Sequence, residues 1–243
     1  MKKRMIFILW ISGLLCVLSG CVPRPEAAGT IKTGNYDIVP EIYTRGENIS
    51  IAYPSLQKKK EDFSAVNSLI LETVLEYALG GYEDDFAGLS LELQFRAPLA
   101  GSEILSLIFE GYRYLENTAH PTDVFFTVNI ELRRAILLQL PDMVNVAKSS
   151  KKEGEDKHAP AKAYLLYFEG RGAEATGILP EKNSAEALTA LFQEADLPGA
   201  EVWSYWTEDV LGISISAPHV TGGHIETEIP RYEILDSVLI SIR

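Results

Sequence analysis

Cysteine is nearly absent from this chain of 243 residues: it has two, Cys16 and Cys21. A disulfide framework is thereby excluded. Histidine is scarce as well, at four residues. Basic side chains are outnumbered, 22 against 34 acidic, for a formal charge of −12. That balance runs against nucleic acid, which requires a basic footprint. The motifs of common chemistries are missing too. There is no Gly-x-Ser-x-Gly, no His-Glu-x-x-His and no phosphate-cradling glycine loop, so serine-hydrolase, zincin and nucleotide chemistry lack support. Glu83-Asp84-Asp85 lacks the spacing of a calcium loop and reads as a solvated acidic loop. What the chain does have is apolar residues, 47%, with 9% aromatics, enough for a packed core and too many for bulk disorder.

The N-terminus fixes the expected location. Met1-Lys2-Lys3-Arg4 is a positive n-region, and Met5 to Leu18 follows without a charge. That run falls short of the ~20 residues of a membrane-spanning helix and suits a signal h-region. Leu18-Ser19-Gly20-Cys21 then looks like a bacterial lipobox: a branched apolar residue, two small residues that fit a peptidase cleft, and the cysteine. Residues 1–20 therefore read as a signal peptide. Cys21 becomes the lipidated first residue, carrying diacylglyceryl and palmitate-type chains, and 21–48 is the lipidated cysteine with its tether, rich in Pro, Gly, Ala and Thr from Val22 to Asn35. Several acyl chains hold a protein stably where one does not. The mature protein is expected on a cell membrane or outer membrane, lipid-anchored and extracytoplasmic. Val22 in place of Asp leaves out the enterobacterial inner-membrane retention signal. Cys16 leaves with the signal, so the folded part has no thiol for catalysis or zinc.

Further along, Ile49-Ser50-Ile51-Ala52-Tyr53 alternates and predicts a short strand ending at Pro54. Lys58 to Lys60 reads as a solvated basic patch. Phe63, Val66, Ile70, Val74 and Tyr77 recur at helical spacing, opened near Asp62 and stopped at Gly80-Gly81. Three alternating strands follow, over Leu89 to Phe95, Leu105 to Tyr114 and Val124 to Leu132. They predict an antiparallel meander with one face under the helix. Ala135 to Val146 is apolar without a period. Lys148 to Lys157 reads as a mobile loop within 148–160. Strands are expected at Ala163 to Glu169, Val202 to Thr207, Leu211 to Ser216 and Ile225 to Ile229, with a helix over Asn183 to Ala195. The fold class is α+β: antiparallel sheets with one long helix packed in each of two similar lobes, 49–132 and 133–243.

The stretch Ile104 to Tyr112, then Tyr114, Ala119-His120-Pro121, and Thr127-Val128-Asn129-Ile130-Glu131-Leu132 resembles a family of extracytoplasmic modules of poorly defined function. They occur as bacterial lipoproteins, outside the catalytic domain of peptidoglycan deacetylases, and in the lysozyme-binding anti-sigma factor RsiV. The far end matches as well, through Ile213-Ser214-Ile215, Pro218-His219, Gly223, Glu228-Ile229-Pro230 and Tyr232. The likeness runs from about Ile49 to the C-terminus. Ile130 departs from the family's aromatic, and Arg133-Arg134-Ala135 replaces its Gly-Lys turn. The resemblance implies an α+β fold with no catalytic activity of its own. Neither a deacetylase domain nor a cytoplasmic anti-sigma segment has room here, so the module is expected alone on its lipid.

The motif residues His120, Pro121, Asn129, His219 and Tyr232 are the candidate binding or structural positions. His120 admits a ligand-contacting reading and a structural one, tying down its turn; the structural reading is preferred. His219 and His224 sit five apart across a glycine turn, yet two imidazoles without a third ligand do not make a zinc site. Glu226 and Glu228 read as a solvated strand face. Trp203, Tyr205 and Trp206 invite sugar stacking, although alternation sends at least one side into the core. No metal, cofactor or catalytic residue is expected. The leading expectation is a non-catalytic, lipid-anchored envelope binding or sensor-like module for lysozyme-like enzymes or peptidoglycan. The rivals are a cell-wall hydrolase using carboxylates and His120, and a structural lipoprotein within a larger assembly.

Overall fold

The computed structural model describes residues 29–82, 86–144, 146, 185–217 and 223–234. Ten strands, three α-helices and a 3-10 turn are described. The signal peptide, Cys21, the acidic run at 83–85, the loop at 148–160 and the strand expected at Ala163 to Glu169 lie outside those residues. Strands dominate, in two sheets.

The larger sheet holds β1 (Ile31–Lys32), β2 (Asp37–Arg45), β3 (Ile49–Gln57), β4 (Leu89–Ala100), β5 (Ile104–Leu115), β6 (Thr122–Glu131) and β7 (Ile136–Leu138), side by side in chain order. It begins inside the segment assigned to the tether and continues past residue 132. β3 does not stop at Pro54: it runs to Gln57, with Pro54 opposite Pro40 of β2. The expected meander is present, since β4, β5 and β6 pair antiparallel. The sheet as a whole is mixed, because β3 pairs parallel with β4 from Ile49↔Leu91 to Ile51↔Leu93. A parallel neighbour requires a crossover connection, and the helix α1 (Ser64–Leu79) supplies it.

α1 forms where its period predicts. The Asp62 carboxylate accepts the Ser64 N–H at 2.9 Å at the start, and the Gly80 N–H closes on the Glu76 carbonyl at the end. Val66, Ile70 and Val74 are fully covered. They share one core with Leu91, Leu93, Leu105, Leu107, Phe109, Phe126, Val128 and Ile130, where Phe109 stacks on Phe126 at 5.0 Å. Asn67 fixes the helix in register by bonding both the N–H and the carbonyl of Leu56.

The smaller sheet orders β10 (His224–Pro230), β9 (Val210–Ser216) and β8 (Val202–Trp206), all antiparallel. A four-residue α2 (Leu140–Met143) and α3 (Ala185–Gln193) pack with it; Leu188, Phe192, Trp206, Ile213 and Ile229 form its core. The expectation of one long helix in each of two similar lobes does not hold. α1 has 16 residues, α3 has 9, and the sheets have seven and three strands. Hydrophobic period reports which face is buried and carries no information on how many strands join a sheet. Among the described residues no helix is long and apolar enough to cross a membrane.

Candidate functional site

Alternation puts Leu91, Leu93, Leu105, Leu107 and Phe109 under α1, so Glu92, Ser106, Glu110, Tyr112, Thr127 and Asn129 turn to the opposite face. The smaller sheet covers one half of that face. Among the described residues nothing covers the other half.

Polar groups make the covered half. The Ser106 hydroxyl donates to Asn129 Oδ1 at 2.6 Å and accepts the Trp206 N–H at 3.0 Å, while Asn129 Nδ2 donates to the Ser204 carbonyl at 2.9 Å. Asp196 sits beside them, fully buried and with φ of 66°. Its carboxylate takes the Ser204 N–H at 2.6 Å, the Ser204 hydroxyl at 2.5 Å and the Thr127 hydroxyl at 3.1 Å. The Asp196 carbonyl also accepts the Tyr77 hydroxyl at 2.9 Å. Burial away from water pushes the Asp196 carboxyl up to about 7, against the pull of bonds from Ser204, Thr127 and the Leu140 N–H. This junction ties α1, β6, α2 and β8 together. Asn129 thus holds the two sheets in place.

On the open half, one row of directly paired residues crosses five strands: Thr44, Ser50, Glu92, Tyr112 and Asp123. Glu110 and Tyr114 flank Tyr112 along β5. Tyr112 stands 63% exposed and Tyr114 38%. Close approach of β4 behind β5 depends on Gly111, where a Cβ would sit 1.9 Å from the Glu92 carbonyl oxygen.

β10 forms a wall at the edge of this row. Gly223 meets Asp123, and the His224 ring lies over Phe125 at 4.2 Å. His224 Nε2 is 3.3 Å from Glu226 Oε1. Arg96 is 3.4 Å from Glu226 and 3.8 Å from Glu110, with its guanidinium 5.6 Å over the Tyr205 ring. Tyr205 reaches across two strands because Gly212 leaves room for its ring: a Cβ there would lie 2.1–2.4 Å from three ring carbons. Its hydroxyl donates to Glu226 at 2.9 Å. Burial, and then the Glu226 carboxylate, raise the Tyr205 phenol well above its ordinary 10.0. The His224 bond, opposed by burial and aided by Tyr205 and Arg96, lowers Glu226 below its ordinary 4.5. Gly212→Ala is expected to expel the Tyr205 ring, so that its phenol titrates near 10 in an alkaline absorbance titration. A phenol still silent at that pH in the variant contradicts this packing.

The structure does not gather the sequence candidates into one site. His120 and Pro121 lie exposed in the turn between β5 and β6, where the Thr118 hydroxyl lies 3.4 Å from the His120 carbonyl oxygen. Asn129 is buried between the sheets. Tyr232 is 69% exposed on the 3-10 turn Arg231–Glu233. His219 lies outside the described residues. Trp203, Tyr205 and Trp206 are all buried, at 6%, 2% and 4% exposure, which removes the sugar-stacking reading for them. Among the described residues no three His, Cys, Asp or Glu side chains group to hold a metal. The sequence reading did not single out Tyr112, Glu92, Arg96 or Asp196. Tyr112 and Tyr114 carried a signal: bulky rings recur on the polar phase of an alternating strand, where core packing does not require them. Asp196 carried none.

No protein-family model matches the chain, and no curated protein matches it. Among solved structures, a DUF3298 family protein from Pseudomonas aeruginosa PAO1 is similar at 16% identity and a TM-score of 0.47, over 85% of this chain and 94% of its own. A DUF3298 family member from Bacteroides fragilis is similar at 13% identity and a TM-score of 0.43, over 80% and 88%.

Proposed function

We propose that this protein is a non-catalytic, lipid-anchored binding module of the cell envelope. Its partner is a lysozyme-like enzyme or peptidoglycan. Position rests on the n-region, h-region and lipobox ending at Cys21. Binding rests on one observation: Tyr112 stands 63% exposed on an open sheet face, between Glu92 and Asp123. A large ring on the solvent side of a strand costs hydration and contributes nothing to a core, and aromatic residues are enriched where a partner docks. Detergent-solubilised full-length protein is expected to retain lysozyme or peptidoglycan at low salt, with no release of soluble glycan fragments. Retention of neither overturns the reading. Turnover of peptidoglycan that His120→Ala abolishes in a folded protein replaces it with the hydrolase.

A further inference from the structure

Resting on that binding reading, we infer that the open half of the larger sheet docks a cationic protein segment, with a lysine or arginine head group over the Tyr112 ring beside Glu92. Glu92 pairs directly with Tyr112 in the row, and Glu110, which Arg96 approaches at 3.8 Å, is next along the strand. Ionised carboxylates only accept hydrogen bonds, and ammonium and guanidinium groups only donate them. A cation within ~6 Å of a ring face is also attracted by the ring itself.

The molecule already uses this arrangement where it supplies its own arginine. Arg96 lies 5.6 Å over Tyr205 while it reaches Glu110 and Glu226. Arg45 covers Phe86 at 3.9 Å, Arg113 covers Tyr82 at 5.9 Å and Arg231 covers Trp206 at 5.3 Å. Tyr112 and Tyr114, the most exposed rings of the larger sheet, have no such cation among the described residues. Charge complementarity points the same way. The chain carries −12, and a field of that sign raises the encounter rate with cationic partners at low salt. Side chains two apart on a strand project ~7 Å apart on one face. Tyr112 and Tyr114 therefore offer two adjacent positions to an extended basic segment. A neutral glycan would gain from the rings and nothing from the negative charge.

The test uses detergent-solubilised full-length protein and three probes: short poly-L-lysine, its Nε-acetylated form, and soluble peptidoglycan fragments. Poly-L-lysine is expected to bind, with affinity falling as salt rises, and acetylation is expected to abolish binding. Tyr112→Ala should weaken it by about tenfold, whereas Tyr112→Phe, which keeps the ring face, should stay within about twofold. Glu92→Gln should weaken it by about threefold or more and flatten its salt dependence. Unchanged circular dichroism shows that each variant is folded. Equal binding of poly-L-lysine by wild type, Tyr112→Ala and Glu92→Gln overturns the inference. So does binding of peptidoglycan fragments alone, which leaves the binding module standing. Failure of all three probes, with lysozyme also unbound, overturns the binding module itself.

Discussion

Asp196→Ala is expected to lower folding stability by about 3–5 kcal/mol, read as a shift in the denaturant midpoint. The carboxylate is the shared acceptor for the Ser204 N–H, the Ser204 hydroxyl and the Thr127 hydroxyl, and all of these groups are buried. Truncation strands those donors away from water and opens a cavity between the sheets. Asp196→Asn is expected to cost much less. Asparagine tolerates the left-handed backbone, its oxygen can keep two of the donors, and the Ser204 hydroxyl can turn to accept from the amide. The two variants also differ in pH response. In the folded protein burial raises this carboxyl from 3.8 to about 7, so between those values the native state holds a proton that the unfolded chain releases. Its contribution is complete below pH 4 and is lost as pH rises through 7, a change of about 4 kcal/mol. Wild type should therefore lose stability over that window by more than Asp196→Asn does. Parallel stability–pH curves for the two proteins contradict a protonated Asp196.

The second large effect belongs to Gly111. Gly111→Ala is expected to cost about 3 kcal/mol or more, enough to leave little native protein in a domain of ordinary stability. The added Cβ would lie 1.9 Å from the Glu92 carbonyl oxygen, 2.9 Å from its carbon and 3.0 Å from the Leu93 Cα. All three are backbone atoms of β4, the antiparallel partner of β5 at this point. No side chain can swing aside to relieve the contact, so the ladder between the two strands has to open. Near-wild-type thermal unfolding of Gly111→Ala contradicts that geometry. The prediction also bears on the proposed docking face, because Gly111 lies between Glu110 and Tyr112. A folded Gly111→Ala protein would carry a displaced Tyr112.

Local periodicity made most of the elements legible. The stripe from Phe63 to Tyr77 gave α1 and its buried face. The alternations gave β4, β5, β6 and the hairpin of β8 and β9, though β4 runs on to Ala100. The pattern of β2 was hidden because Val39-Pro40-Glu41 breaks alternation and the segment follows a proline-rich stretch. Its membership in the sheet rests on Ile38 lying opposite Leu56 and on burial of Tyr36 beside Phe63. The same limit hid Asp196. A single carboxylate after a helix looks like any solvated acid until Thr127, 69 positions earlier in the chain, and Ser204 are brought against it.

The amino-acid order alone carries the N-terminal lipobox pattern, the acidic balance and the in-or-out phase of each strand, because these depend on residues within a few positions of one another. Pairing partners are another matter. The parallel step from β3 to β4, the unequal sheets, the buried carboxylate between them and the half-covered face that leaves Tyr112 in water arise from contacts between distant segments. Packing settles these features, since which half of a sheet face is covered depends on where the rest of the chain comes to lie.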